Sequence, residues 1–266
     1  MSTGADLRHE ADAARRIVLE AALASGSCHI GSSLSIVDIL TVLYRRTLRA
    51  GAGDRFLLSK GHAAAALYAV LARTGTLDET EVVSGYSRDG GSLHGHPERH
   101  VPGVELTAGS LGHGLAVAIG HALADRADGR DRRTFCLVGD GELNEGSIWE
   151  AAALAGHLAL PGLCLIVDAN GFQGLGTTGE VLSLEPLADK LRAFGWTVDE
   201  VDGHDHRALE RALGGARLRP AAVVARTVKG YGVPVLEGEF MSQYRSFRPH
   251  ERGLLFAGLD DLAEAA

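Results

Sequence analysis

Phe135-Cys136-Leu137-Val138-Gly139-Asp140-Gly141-Glu142-Leu143-Asn144-Glu145-Gly146 is the stretch that decides the fold. Its first four residues form an unbroken apolar run of strand length, and the run stops on an aspartate between two glycines. A strand without polar alternation is buried on both faces, as in a parallel sheet covered by helices. The same pattern returns at 163–167 and 221–225, and Trp196-Thr197-Val198 begins a further strand. Helical spacing over 144–157, 186–194 and 205–215 separates these runs. The expectation is an α/β domain spanning 1–266, with 233–266 as its C-terminal tail.

Upstream, Leu7, Ala11, Ala14, Ile17, Val18 and Ala21 place a helix over 6–24. A polar break follows at Ser25–Ser32, then a second helix over about 34–48. Residues 55–59 read as a short strand or extended link, and 63–73 as a third helix ended by Thr74-Gly75. The Gly-, His- and Pro-bearing stretch 85–109 is too long for an ordinary connection and is a functional-loop candidate.

Composition narrows the class. Charged residues make up 23% of the 266 and apolar ones 45%, so the chain can bury a core and is not a disordered segment. A net charge of −8 argues against nucleic acid as a partner. Cys28, Cys136 and Cys164 show no metal-ribbon spacing and cannot all pair, which excludes a disulfide framework. No stretch has the roughly 18 apolar residues that a membrane helix needs, and residues 1–12 carry no apolar signal core. The expected location is cytoplasmic, with no membrane partner.

Asp140 stands where a buried strand ends and a helix begins, the place where open α/β sheets bind ligands. The flanking glycines admit a bulky anion and the helix start favours one, yet a carboxylate would repel it. A divalent cation between the two removes the conflict. The next strand ends at Asp168, followed by Asn170-Gly171. One βαβ unit separates Asp140 from Asn170, so both emerge at carboxyl ends of parallel strands, which lie about 5 Å apart where the two are neighbours. A charged and a neutral oxygen donor beside phosphate oxygens suit Mg2+, although Ca2+ or Mn2+ accept the same donors.

Gly139-Asp140-Gly141, 28 residues, then Asn170 resembles the thiamine diphosphate motif, and the surrounding segments resemble transketolases. Ser25–Leu40, SGSCHIGSSLSIVDIL, is similar to their first histidine loop, and Asp54–Leu67, DRFLLSKGHAAAAL, to their second. Gly95-His96-Pro97-Glu98 and Gly109-Ser110-Leu111-Gly112-His113-Gly114 are similar to the third region. The likeness is collinear over about residues 6–230.

The resemblance implies a three-layer thiamine-diphosphate-binding fold, α/β, with a mostly parallel central sheet flanked by helices. It implies a cation held by Asp140, Asn170 and the carbonyl of Phe172. Gly141 and His62 would meet the diphosphate, with Gly109, Ser110 and Leu111 in the cofactor loop. Glu145 would stand at an intersubunit contact near the cofactor. His29, His62 and His96 would act as the catalytic set, His29 and His96 binding sugar hydroxyls and moving protons. His204, in the turn Asp202–Asp205, resembles a family turn that caps the next helix.

The family's activating glutamate and its pyrimidine pocket lie in a second domain. The resemblance therefore implies a split enzyme. A C-terminal transketolase-like subunit completes the cofactor site in an α2β2 assembly, ketoses are the substrates, and this chain alone turns nothing over. Competing readings are a subunit of a 1-deoxyxylulose-phosphate-synthase-like enzyme, a 2-oxoacid decarboxylase subunit, or a non-catalytic stabilising subunit. One departure stands out. After Thr227-Val228-Lys229-Gly230-Tyr231-Gly232 no counterpart of a further family histidine is found; Lys229, Tyr231 or His250 are the candidates to approach the site. Arg245, Arg248 and Arg252 read as a solvated tail or as a partner or anion contact.

Overall fold

Five parallel strands form the centre of the computed structural model, which describes residues 4–215 and 218–264. They are β1 (Arg55–Leu58), β2 (Thr134–Gly139), β3 (Leu163–Ala169), β6 (Thr197–Asp202) and β7 (Ala221–Arg226). A small antiparallel hairpin, β4 (Phe172–Gln173) with β5 (Gly176–Thr177), follows β3. The sheet order is β1-β2-β3-β7-β6.

Every residue of β2 and β3 is buried, which is why these runs carry no polar alternation. Successive side chains feed two separate cores. Phe135, Leu137, Ile166 and Val223 enter one; Cys136, Val138, Leu165 and Val224 enter the other. The first core is closed by α1 (Gly4–Ser25), α2 (Ile30–Leu34), α3 (Val37–Val42), α4 (Ala64–Arg73) and α10 (His206–Gly214), with α5 (Glu79–Gly85) against α1 and α4. The second is closed by α6 (Gly114–Ala127), α7 (Gly146–His157) and α9 (Leu187–Ala193). The result is three layers. At the sheet edge, β6 alternates partly buried and exposed positions and presents Glu200 and Asp202 outward, which blunts edge pairing.

The helix expected over 34–48 is divided. α2 begins inside the expected polar break, α3 follows, and a π-helical turn spans Leu43–Thr47. Ser35 sits at the interruption: its hydroxyl bonds Ser32 O at 3.0 Å and Asp168 Oδ2 at 2.8 Å, tying the break to the end of β3. Helices α5 and α6 have no counterpart among the expected elements; α6 contains glycines and a mostly small apolar surface, so its periodicity is weak. A short helix, α8 (Thr178–Val181), closes the hairpin.

The C-terminal residues join the first core. Val233, Leu236 and Phe247 are buried there, as are Leu255 and Leu259 of α11 (Arg252–Glu264). Arg245 pairs with Glu251 at 2.7 Å and lies over the Phe247 ring, and Arg252 pairs with Glu20. Those arginines have partners within the chain.

No helix among the described residues is long and apolar enough to cross a membrane. α10 is capped by Asp205, whose carboxylate accepts from the N–H groups of Arg207 and Ala208 at 2.9 and 3.1 Å. Asp205→Ala should therefore lower stability by about 1 kcal/mol, read as a reduced urea midpoint at unchanged slope.

Candidate active site

The strand register brings the two predicted donors together. Gly139 pairs with Asp168 across β2 and β3, so Asp140 and Asn170 leave neighbouring strand ends on one edge. The Asp140 carboxylate accepts from Gly141 N at 2.8 Å and Gly171 N at 2.6 Å. Asn170 Oδ1 accepts from Phe172 N at 3.1 Å, while its Nδ2 donates to Asp168 Oδ2 at 2.8 Å. These bonds hold Asp140, Asn170 and the Phe172 backbone in one loop cluster.

Behind them lies a buried ion pair that sequence reading misses. Lys60 Nζ donates to Asp168 Oδ2 at 2.5 Å, and both side chains are essentially inaccessible. Asp168 also accepts from the hydroxyls of Ser35 and Thr227. Burial opposes its charge, but Lys60 and these donors hold the carboxyl below its ordinary range. Asp140 behaves in the opposite way: burial, and then the neighbouring Asp168, push it up to about 7. A buried carboxyl with only backbone donors is a site that a cation would ionise.

Three histidines from three separate segments converge. The ring centroid of His29 lies 5.7 Å from that of His62 and 6.3 Å from that of His96. His29 precedes α2 in the left-handed region, at φ 69°, a conformation that L-residues adopt only when the surroundings hold them there. Its N–H donates to Gln243 O at 2.9 Å. His62 lies in the turn before α4, and Tyr68 Oη donates to His96 O at 3.2 Å. Burial, then the positive charge of Lys60, keeps His62 well below the usual imidazole value. Burial and then His96 lower His29 as well. Both rings are therefore neutral near pH 7 and can donate from one nitrogen and accept at the other.

The predicted loop Gly109-Ser110-Leu111 runs beside this edge. A Cβ on Gly61 would lie 2.8 Å from Ala108 O, so the loop passes directly over the turn that bears His62. Residues Leu106–Ser110, His113 and Gly114 line a cavity of about 150 Å3 with Ser59. Glu142, also missed, fastens this wall. Its Oε1 accepts from Ser59 Oγ and from Gly112 N at 2.9 Å, and its Oε2 from Gly139 N at 3.2 Å. A charged residue lodged inside a glycine motif is the signal that could have singled it out. Glu145 is exposed at the start of α7, and His113 is exposed at the start of α6.

Of the residues that could replace the missing histidine, Lys229 reaches the site: it is buried, with Nζ 5.6 Å from the Phe172 ring. Burial, then Lys60, depress its amine to about 8. Tyr231 turns the other way, onto His204, and His250 is exposed in a short helical turn. Gln243 is a further residue at the site: besides meeting His29, its Oε1 accepts from Ser32 Oγ at 2.5 Å.

The donor set fits a hard cation bound with a diphosphate. Among the described residues no three His, Cys, Asp or Glu side chains form a metal cluster; the candidates are one carboxylate, one amide oxygen and a backbone carbonyl, a set that leaves positions for phosphate oxygens and water. Gln173 Nε2 is buried without a partner, and a Cβ on Gly141 would lie 2.6 Å from the Gln173 side chain. An unsatisfied donor beside the glycine expected at the diphosphate suits an anionic ligand.

Residues 7–243 match the family described as transketolase, thiamine diphosphate binding domain. The chain is 39% identical over 248 residues to the 6-deoxy-6-sulfo-D-fructose transketolase subunit SqwG of a Clostridium species, covering 89% of this chain and 90% of that one. It is 41% identical over 245 residues to an apulose-4-phosphate transketolase subunit of Actinobacillus succinogenes, covering 88% of each. The crystal structure of a Campylobacter jejuni transketolase superposes with a TM-score of 0.88 at 29% identity, over 98% of this chain but 43% of that one. The chain thus spans most of the two subunit relatives and less than half of that transketolase.

Proposed function

The chain belongs to the transketolase thiamine diphosphate-binding domain family, and we propose that it is the diphosphate-binding subunit of a split enzyme transferring a two-carbon ketol unit from a ketose to an aldehyde. The observation that carries this reading is the convergence of His29, His62 and His96 at the strand edge that bears Asp140 and Asn170. Sugar hydroxyls need several neutral donors and acceptors; a 2-oxoacid needs fewer.

In this reading Asp140, Asn170 and the Phe172 carbonyl hold Mg2+, with Ca2+ or Mn2+ as substitutes. The Gly141 backbone and His62 meet the diphosphate, alongside Gly109, Ser110 and Leu111. Thiamine diphosphate, when bound, supplies the nucleophilic carbon and the electron sink. His29 and His96 orient the sugar hydroxyls and carry protons between them. Lys60 and Lys229 offset the negative charge of the ligand. Glu145 belongs to the contact between subunits.

A C-terminal transketolase-like subunit would supply the activating glutamate and the pyrimidine pocket, in an α2β2 assembly. The names of the two bacterial relatives, each a transketolase subunit, support a two-chain enzyme. The sugars in those names, one sulfonated and one phosphorylated, favour a ketose with a terminal anion. A cytoplasmic setting agrees with three free cysteines, two of them buried.

The test is a product assay of the reconstituted enzyme, ketose donors against 2-oxoacids. Ketol transfer is expected, and His29→Ala and His96→Ala should each lower kcat/KM by about 100-fold. Decarboxylation of a 2-oxoacid, or full activity in both variants, would overturn the reading.

A further inference from the structure

Against the segment 227–231 stands a second polar constellation that no step above uses. Asp38 of α3 is buried and accepts from three side chains: Arg15, His204 Nδ1 at 2.8 Å, and His206 Nε2 at 2.7 Å. Arg15 is itself steadied by Asp12 at 2.9 Å. Burial opposes the charge on Asp38, but Arg15 and the two imidazoles hold the carboxyl well below the usual range. Asp38 is therefore ionised and acts only as an acceptor. The other nitrogen of His204, Nε2, accepts the backbone N–H of Val228 at 2.8 Å. A backbone N–H can only donate, so Nε2 is bare, the proton is on Nδ1, and His204 is neutral in this arrangement. The ring also stacks on Tyr231, with centroids 3.5 Å apart and planes at 14°.

Val228 lies between Thr227 and Lys229, the residues that reach Asp168 and the Phe172 ring. The turn that carries His204 is pressed onto the same segment: a Cβ on Gly203 would lie 2.3 Å from Thr227 Cγ2. Gly230 N in turn donates to Gly31 O at 3.0 Å, next to the loop of His29. We infer that His204 is a positioning residue for the active site: oriented by Asp38, it grips Val228 and Tyr231 and so sets where Thr227 and Lys229 stand against the cofactor edge. The neutral imidazole supplies a donor to Asp38, an acceptor for Val228 N–H and a flat face for Tyr231 together. This inference rests on the site reading given above.

Two measurements on the purified chain test the grip itself, without cofactor. Long-range proton–nitrogen NMR should show His204 protonated at Nδ1 and bare at Nε2. In His204→Ala, amide exchange at Val228–Tyr231 should accelerate about tenfold or more, while Val223 and Val224 in β7 keep their protection. His204→Gln, which retains a donor and an acceptor, should recover part of it. A proton on Nε2, unchanged exchange at Val228, or uniform acceleration through β7 would overturn the inference. Calorimetric titration of the reconstituted enzyme with thiamine diphosphate and Mg2+ then tests the link to the site. Affinity should fall about tenfold in His204→Ala and return in part in His204→Gln; equal affinity in all three would overturn that link. If the unaltered enzyme bound no cofactor, the site reading would fall, while the NMR and exchange results would still decide whether His204 holds the segment.

Discussion

Asp140→Asn should abolish metal-dependent binding of thiamine diphosphate and, in the same experiment, stabilise the metal-free chain. The carboxylate is the one charged donor in the proposed cation site, so its loss should weaken binding by more than about 100-fold, beyond what an outer partner costs. The stability effect has the opposite sign. Burial and Asp168 raise the folded-state value to about 7, above the unfolded value of about 3.9. The folded chain thus binds the proton more tightly. Asp140 is least harmful to stability below pH ~4, and its penalty grows as pH rises through ~7, towards an upper limit on the order of 4 kcal/mol. Thermal melts in chelator should show Asp140→Asn gaining more over the parent at pH 8 than at pH 4.5. Calorimetry with Mg2+ should show heat for the parent alone. A variant that binds like the parent would remove Asp140 from the metal site.

Asp168→Asn is the second large effect. It leaves Lys60 as a buried ammonium without its counter-charge, a loss of about 3–5 kcal/mol. It also weakens the anchors of Ser35, Thr227 and Asn170, which all bond Asp168. Lys60→Met should cost a similar amount because it strands the carboxylate. The double variant Lys60→Met/Asp168→Asn should cost clearly less than the two single losses added together, since neither charge is then left alone. Urea unfolding of the four proteins measures this directly. Strict additivity would mean that the two groups do not depend on one another.

What is legible in the chain follows from how local each feature is. The strands at 135–138, 163–167 and 221–225 can be read because burial on both faces removes every polar residue, and that signature lies within four or five positions. Asp140 and Asn170 can be placed at the same end of the sheet because a single βαβ unit makes their strands parallel; that the strands are neighbours comes from the register. The histidines are legible as candidates, but no spacing relates His29, His62 and His96; only three converging segments bring the rings within 5.7 and 6.3 Å. The Lys60–Asp168 pair is not legible, because a long-range ion pair leaves no trace in either local segment. The division of the second helix is not legible either: Ser35, at the break, bonds a residue 133 positions away. α6 escapes because small residues and glycines blur its period. The turn at 202–205 reads as a cap, and Asp205 does cap α10; the inward contacts of His204 depend on Asp38 and Val228, far apart in sequence.

In the proposed enzyme this chain provides half of the catalytic site and a second chain provides the other half. The decisive measurement is ketose turnover with thiamine diphosphate and Mg2+, by the purified chain alone and after addition of a C-terminal transketolase-like subunit from the same source. No turnover is expected from the chain alone, and activity should rise to saturation as the second chain is added. Robust turnover by the chain alone would contradict this division of the site.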